Sequence, residues 1–198
     1  MTLNGKVALV TGASRGIGAA VARRLADEGV KLGLASRIGT DLGLRDVVAQ
    51  SCDVREAAQI EAIVAATVDR FGGLDILVAN AGVGAYGPFL ELNPEHLEEM
   101  IDVNVKGTLY AVRAALPHLL QSESADLVTL ASEAGRRGLP LEAVYCASKF
   151  AQVGLTRSLD HELRERGIRC TNIFARAASP RTSHSNRDEG GNRRRSPG

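Results

Sequence analysis

Long apolar runs are missing from this chain of 198 residues. No stretch approaches the roughly 18 apolar residues that a membrane-spanning helix needs. Met1-Thr2-Leu3-Asn4-Gly5-Lys6 leads straight into a strand, without the basic segment and apolar stretch of a secretion signal. The expected location is therefore the cytoplasm, with no membrane partner. Cysteine is scarce: Cys52, Cys146 and Cys170 are odd in number and widely spaced, which fits neither a disulfide framework nor a zinc pattern. His96, His118, His161 and His184 are scattered as well, so no metal is expected. Charge of one sign is not in excess either. The net charge is +1, and nothing in it points to nucleic acid as a partner. What remains, 44% hydrophobic and 24% charged residues, is the make-up of a globular domain, in a chain long enough for one core.

Strand and helix patterns alternate through residue 174. Lys6-Val7-Ala8-Leu9-Val10 ends in Thr11-Gly12, and a helical pattern follows to Glu28, closed by Gly29. Leu32 to Ala35 reads as a second strand. A short helix or loop is expected over about 39–48, before Gln50-Ser51-Cys52 leads into Asp53-Val54. Residues 56–70 carry Ile60, Ile63, Val64 and Val68 on one helical face. Asp75 to Ala79 is a fourth strand. Asn93-Pro94-Glu95 has the cap, proline and first-turn acid of a helix start, and that helix is expected to run to about 116. A fifth strand (126–131), a long helix (143–166, stopped by Gly167) and a sixth strand (168–174) follow. Repeated β-α-β units with near-continuous apolar strands predict a single α/β domain: a Rossmann-type, doubly wound parallel sheet. Its ligand is expected over the C-terminal ends of the strands, at the switch point.

The character changes after Phe174. Residues 175–198 contain no large apolar side chain and are rich in Arg, Ser and Gly. Such a segment cannot bury apolar surface and is expected to be a polar tail to a domain of residues 1–174.

Gly12-Ala13-Ser14-Arg15-Gly16-Ile17-Gly18 sits between the first strand and the first helix. Glycines there permit a tight turn and let backbone N–H groups reach a pyrophosphate at the helix N-terminus. The lysine of a nucleoside-triphosphatase loop is absent. At the end of the second strand stands Ser36-Arg37, where an acid would accept from the ribose 2′-OH of NAD. With Arg15 opposite, two guanidiniums favour a 2′-phosphate, so NADP(H) is the expected cofactor.

Ser132, Tyr145 and Lys149 can carry the chemistry. Carbonyl reduction needs a hydride at the carbon and a proton at the oxygen. A tyrosine hydroxyl is a suitable acid, but its pKa of about 10 makes it a reluctant base. A neighbouring ammonium would stabilise the phenolate. Tyr145 and Lys149 are spaced i, i+4 on one helical face, and Ser132 at a strand end can orient the substrate oxygen. The substrate would be bordered by Gly84-Ala85-Tyr86-Gly87-Pro88 and by residues 135–141.

The glycine loop, Asn80-Ala81-Gly82 and Tyr145-Cys146-Ala147-Ser148-Lys149, in this order, resemble the short-chain dehydrogenase/reductase family. The resemblance implies an oxidoreductase acting on a small carbonyl or alcohol. It implies that Asp53 and Val54 hold the adenine and that Asn80 and Gly82 shape the region of the adenosine ribose. It also implies that Asn104 completes a tetrad with Ser132, Tyr145 and Lys149, where it could hold a water linking Lys149 to solvent. A homodimer or homotetramer through the two long helices is implied as well. The chain departs from the family pattern at Ala175-Arg176, where Pro-Gly would stand, and a one-base slip would produce that change. Two readings follow: an active NADPH-dependent oxidoreductase, or a truncated, catalytically impaired NADP-binding protein without the substrate lid.

Overall fold

The computed structural model of the chain describes residues 2–175. Six strands form one parallel sheet: β1 (Val7–Thr11), β2 (Lys31–Ser36), β3 (Val47–Ser51), β4 (Ile76–Ala79), β5 (Ala125–Ser132) and β6 (Ile168–Ala175). Their order is β3-β2-β1-β4-β5-β6. The helices are α1 (Gly16–Asp27), α2 (Ala57–Phe71), α3 (Pro94–Met100), α4 (Gly107–Leu119) and α5 (Ala143–Leu163). The chain leaves β1 toward β2 on one side and continues from β4 toward β5 on the other. The crevice at this reversal opens above the ends of β1 and β4.

Both faces of the sheet are covered, which is why its central strands β1 and β4 are apolar over nearly their whole length. Along β1, Val7 and Leu9 point to one face and Ala8 and Val10 to the other. The first face packs with Ile60 and Ile63 of α2, Val112 and Leu119 of α4 and Leu163 of α5. The second packs with Ala22 of α1 and, from neighbouring strands, Leu32, Leu34, Ile76 and Val78. No helix among the described residues is long and apolar enough to cross a membrane.

The segment expected as a short helix or loop is a loop, residues 37–46, and β3 begins at Val47 inside the expected range. A parallel pair is usually joined by a helix. Here Leu42 and Leu44 of the loop lie against the second core face in its place. Leu42 and Asp46 adopt left-handed backbone to make the path, with φ of 58° and 52°.

The helix expected over 94–116 starts as predicted, with the Asn93 side chain accepting from the Glu95 N–H at 3.0 Å. It extends to Leu119 and contains a π-helical stretch, Ile101–Lys106. The last turn before Gly167 tightens into a 3₁₀ helix, Arg164–Arg166, so α5 is shorter than the expected 143–166. The sixth strand runs one residue past the expected 168–174: Ala175 closes β6 opposite Ser132. The rest of the expected tail lies outside the described residues.

Candidate active site

A cavity of about 970 Å³ runs across the C-terminal ends of the strands. Among its walls are Gly12, Ser14, Arg15, Gly16, Ile17, Gly18, Ser36, Arg37, Asp53, Val54, Asn80, Ala81, Gly82, Ser132, Tyr145 and Lys149. Residues distant in sequence are thus gathered in one place. Asn104 is fully buried behind the wall.

The glycine loop is held close to the end of β4. A Cβ on Gly12 would stand 2.9 Å from the Ala81 Cα, and one on Gly18 would collide with the Gly12 carbonyl and the Asn80 side chain. The Asn80 amide donates to the carbonyls of Thr11 (2.8 Å) and Gly12 (3.2 Å), fastening loop to strand. The first turn of α1 contains no acid, and no side chain among the described residues caps it, which leaves its N–H groups at the cavity edge.

At the end of β2, the Ser36 hydroxyl is buried and has no hydrogen-bond partner among the described residues, while Arg37 is exposed beside it. Asp53 accepts from the Arg55 guanidinium, whose Nε lies 3.0 Å from each carboxylate oxygen. Arg55, with a smaller contribution from Arg37, holds the Asp53 carboxyl below its ordinary range. Arg55 also lines the cavity. Sequence reasoning missed it, because no motif marks a residue two positions from Asp53.

Ser132, Tyr145 and Lys149 line the other part of the cavity. Ser132, the last residue of β5, accepts from the Ala134 N–H at 3.2 Å. Burial pushes the Tyr145 phenol above its ordinary value, a hydrogen bond with Ser132 pulls against this, and Glu142 adds to the rise. Tyr86 packs edge-on against the Tyr145 ring with centroids 5.5 Å apart. Gly84 makes room for this, since a Cβ there would stand 2.9 Å from Cζ of Tyr86.

Lys149 is buried, and burial lowers its ammonium to about 8. Its Nζ lies 5.8 Å from the Tyr145 ring centroid and donates to the Leu130 carbonyl (2.9 Å) and to Gln152 Oε1 (2.8 Å). Two of its hydrogens thus go to carbonyl-type acceptors, while the charge stays beside the Tyr145 ring.

Asn104 lies in the π-helical stretch. Its carboxamide accepts from the Val83 N–H (2.8 Å) and donates to the Val83 carbonyl (2.9 Å) and to Ser148 Oγ (3.0 Å). Its own backbone carbonyl accepts from Thr108 Oγ1 (2.7 Å) and from Gln152 Nε2 (2.8 Å). Gln152 was absent from the expected site. Its i+3 spacing from Lys149, which puts both on one helical face, is the signal that could have found it.

The chain matches the model of the short chain dehydrogenase family over residues 6–189. It is 38% identical over 176 residues to an uncharacterized oxidoreductase of Staphylococcus epidermidis, covering 85% of this chain and 76% of that one. It is also 38% identical over 175 residues to galactitol 2-dehydrogenase of Agrobacterium fabrum, covering 85% and 68%. A 3-ketoacyl-(acyl-carrier-protein) reductase of Brucella melitensis complexed with NADH superposes with a TM-score of 0.83 at 32% identity, over 88% of this chain and 77% of that one. A short chain dehydrogenase/reductase of Burkholderia phymatum in complex with NAD gives 0.82 at 35% identity, over 89% and 67%.

Proposed function

The chain belongs to the short-chain dehydrogenase family of oxidoreductases, and from that premise we propose that it transfers hydride between NADP(H) and a carbonyl or secondary-alcohol substrate. The observation that carries this reading is the convergence of Ser132, Tyr145 and Lys149 with the glycine loop on one cavity. A bound nicotinamide supplies or takes up the hydride. In the reducing direction the Tyr145 hydroxyl gives its proton to the substrate oxygen, and its raised pKa keeps that proton in place until the oxygen needs it. Ser132 orients the same oxygen. Lys149 sets the charge beside the phenol, and Asn104 fixes the backbone of Val83 at the cavity wall.

The residues fit a dinucleotide. The close approach at Gly12 and Gly18 leaves no space for side chains between loop and strand, as a pyrophosphate seat requires. Asn80, Ala81 and Gly82 close this seat, with Asp53 and Val54 on the adenine side. The phosphorylated form of the cofactor is favoured by the unpartnered Ser36 hydroxyl, by Arg37 and Arg15, and by the absence of an acid at the end of β2. The expected dimer or tetramer rests on Ile101, Leu109 and Phe150, apolar side chains of the long helical segments that stay 37–46% exposed.

The test is NADPH consumption with a panel of ketones and sugars, alongside NADPH and NADH titrations. Turnover with NADPH as the tighter cofactor is expected. NADPH binding without turnover would favour the impaired binding protein, and equal affinity for both cofactors would overturn the NADP(H) assignment.

A further inference from the structure

We propose that Gln152 is a positioning residue of this site: its side-chain amide ties the ammonium of Lys149 to the backbone carbonyl of Asn104 and leaves one Lys149 N–H for the reaction. The inference rests on the reading of Tyr145 and Lys149 as proton-handling groups.

The geometry leaves the amide one orientation. Gln152 Nε2 faces two acceptors, the Asn104 carbonyl and Thr108 Oγ1, each at 2.8 Å. The Thr108 hydroxyl already gives its hydrogen to the Asn104 carbonyl, so its oxygen accepts. Gln152 Oε1 is thereby turned to Lys149 Nζ at 2.8 Å. The flipped amide would set N–H against ammonium and carbonyl against carbonyl. Gln152 and Lys149 are 1% and 4% exposed, so solvent does not compete for these bonds.

The link fixes the lysine in a definite way. An ammonium has three donors. Leu130 and Gln152 take two. The Asn104 carbonyl has two lone pairs, and Thr108 and Gln152 take both. Lys149 is thus joined to Asn104 through an amide, which holds the charge in place but does not pass a proton on as a hydroxyl or water would. The groups around Nζ are the Leu130 carbonyl of β5, Gly82 after β4, and Gln152 and Tyr145 on α5 itself, with the Asn104 carboxamide also beside Gly82. Glu99, Glu133 and Glu142 line the same cavity, yet burial is the cause that moves the lysine. Gln152 is therefore one of two neutral acceptors that keep the ammonium charged against burial.

The experiment uses the full chain without added cofactor. Lys149 is titrated by trace acylation across pH and read by peptide mass spectrometry in the parent, Gln152→Met and Gln152→Glu. Methionine keeps the volume and removes the acceptor, and glutamate keeps the shape and adds a charge. The parent midpoint is expected at about 8. Loss of one bond to the charged form should lower it by about one pH unit in Gln152→Met. Gln152→Glu should raise it, and the pH profile of turnover should move in the same two directions. A merely structural glutamine would shift neither midpoint, or both the same way, and either result overturns the proposal. Should Gln152→Met fail to fold, the absence of an upward shift in Gln152→Glu overturns it alone. Because the titration needs no turnover, it stays readable if Tyr145 proves not to be the proton donor.

Discussion

The carboxamide of Asn104 grips the backbone of Val83 at both ends, accepting its N–H at 2.8 Å and donating to its carbonyl at 2.9 Å. Val83 lies just beyond the end of β4, so this pair ties the π-helical stretch to the cavity wall. Truncation would leave the partly buried N–H and carbonyl of Val83 unpaired. Asn104→Ala should destabilise the fold by roughly 2–4 kcal/mol in urea denaturation. An unchanged midpoint would mean the pair holds nothing together.

The proposed preference for NADP(H) rests on Ser36 and Arg37. Removing a charge-assisted hydrogen bond costs about 1.5–3 kcal/mol, so Arg37→Ala should weaken NADPH at least about tenfold and leave NADH nearly untouched. Ser36→Asp should reverse the preference, because a carboxylate repels a 2′-phosphate and accepts from a ribose hydroxyl. Fluorescence titration of both cofactors against the three chains checks this. Parallel losses for NADPH and NADH would contradict it.

Burial of Lys149 makes stability depend on pH. Its ammonium falls from 10.5 to about 8 on folding, so between those values the unfolded chain binds more protons and stability rises with pH. Below pH 8 the buried charge costs about 3 kcal/mol. Lys149→Met should therefore be most favourable, relative to the parent, at pH 7, and its relative stability should decline by a few kcal/mol toward pH 10.5. Urea midpoints of both chains at the two pH values measure this. A gap that stays constant would contradict the shift.

Assembly through the long helical segments is tested at Phe150. A glutamate there would place a charge at any contact that covers the exposed ring. Light scattering should report a dimer or tetramer for the parent and a smaller species for Phe150→Glu. A monomeric parent at micromolar concentration would sink the proposal.

Much of this site was legible in the sequence because its chemistry is written in local spacing. The glycine loop between strand and helix and the i, i+4 pair Tyr145 and Lys149 needed no partner elsewhere to be recognised. What escaped depends on contacts across the fold. Gln152 matters through Asn104 and Thr108 on another helical segment, and Arg55 through the cavity it lines. The π-helical stretch Ile101–Lys106 shares the apolar pattern of the helix around it, so periodicity cannot mark it. The acceptors of Lys149 escaped for the same reason: spacing shows that a lysine is near Tyr145, but not that its hydrogens go to Leu130 and Gln152.

Tyr145→Phe tests the central claim most directly, with NADPH affinity and the rate of carbonyl reduction measured on one preparation. The substitution removes only the phenolic hydroxyl, and the ring keeps its packing against Tyr86. The rate should fall at least about a hundredfold while NADPH affinity holds. A Tyr145→Phe chain that reduces the same ketone at the parent rate would show that the proton comes from elsewhere.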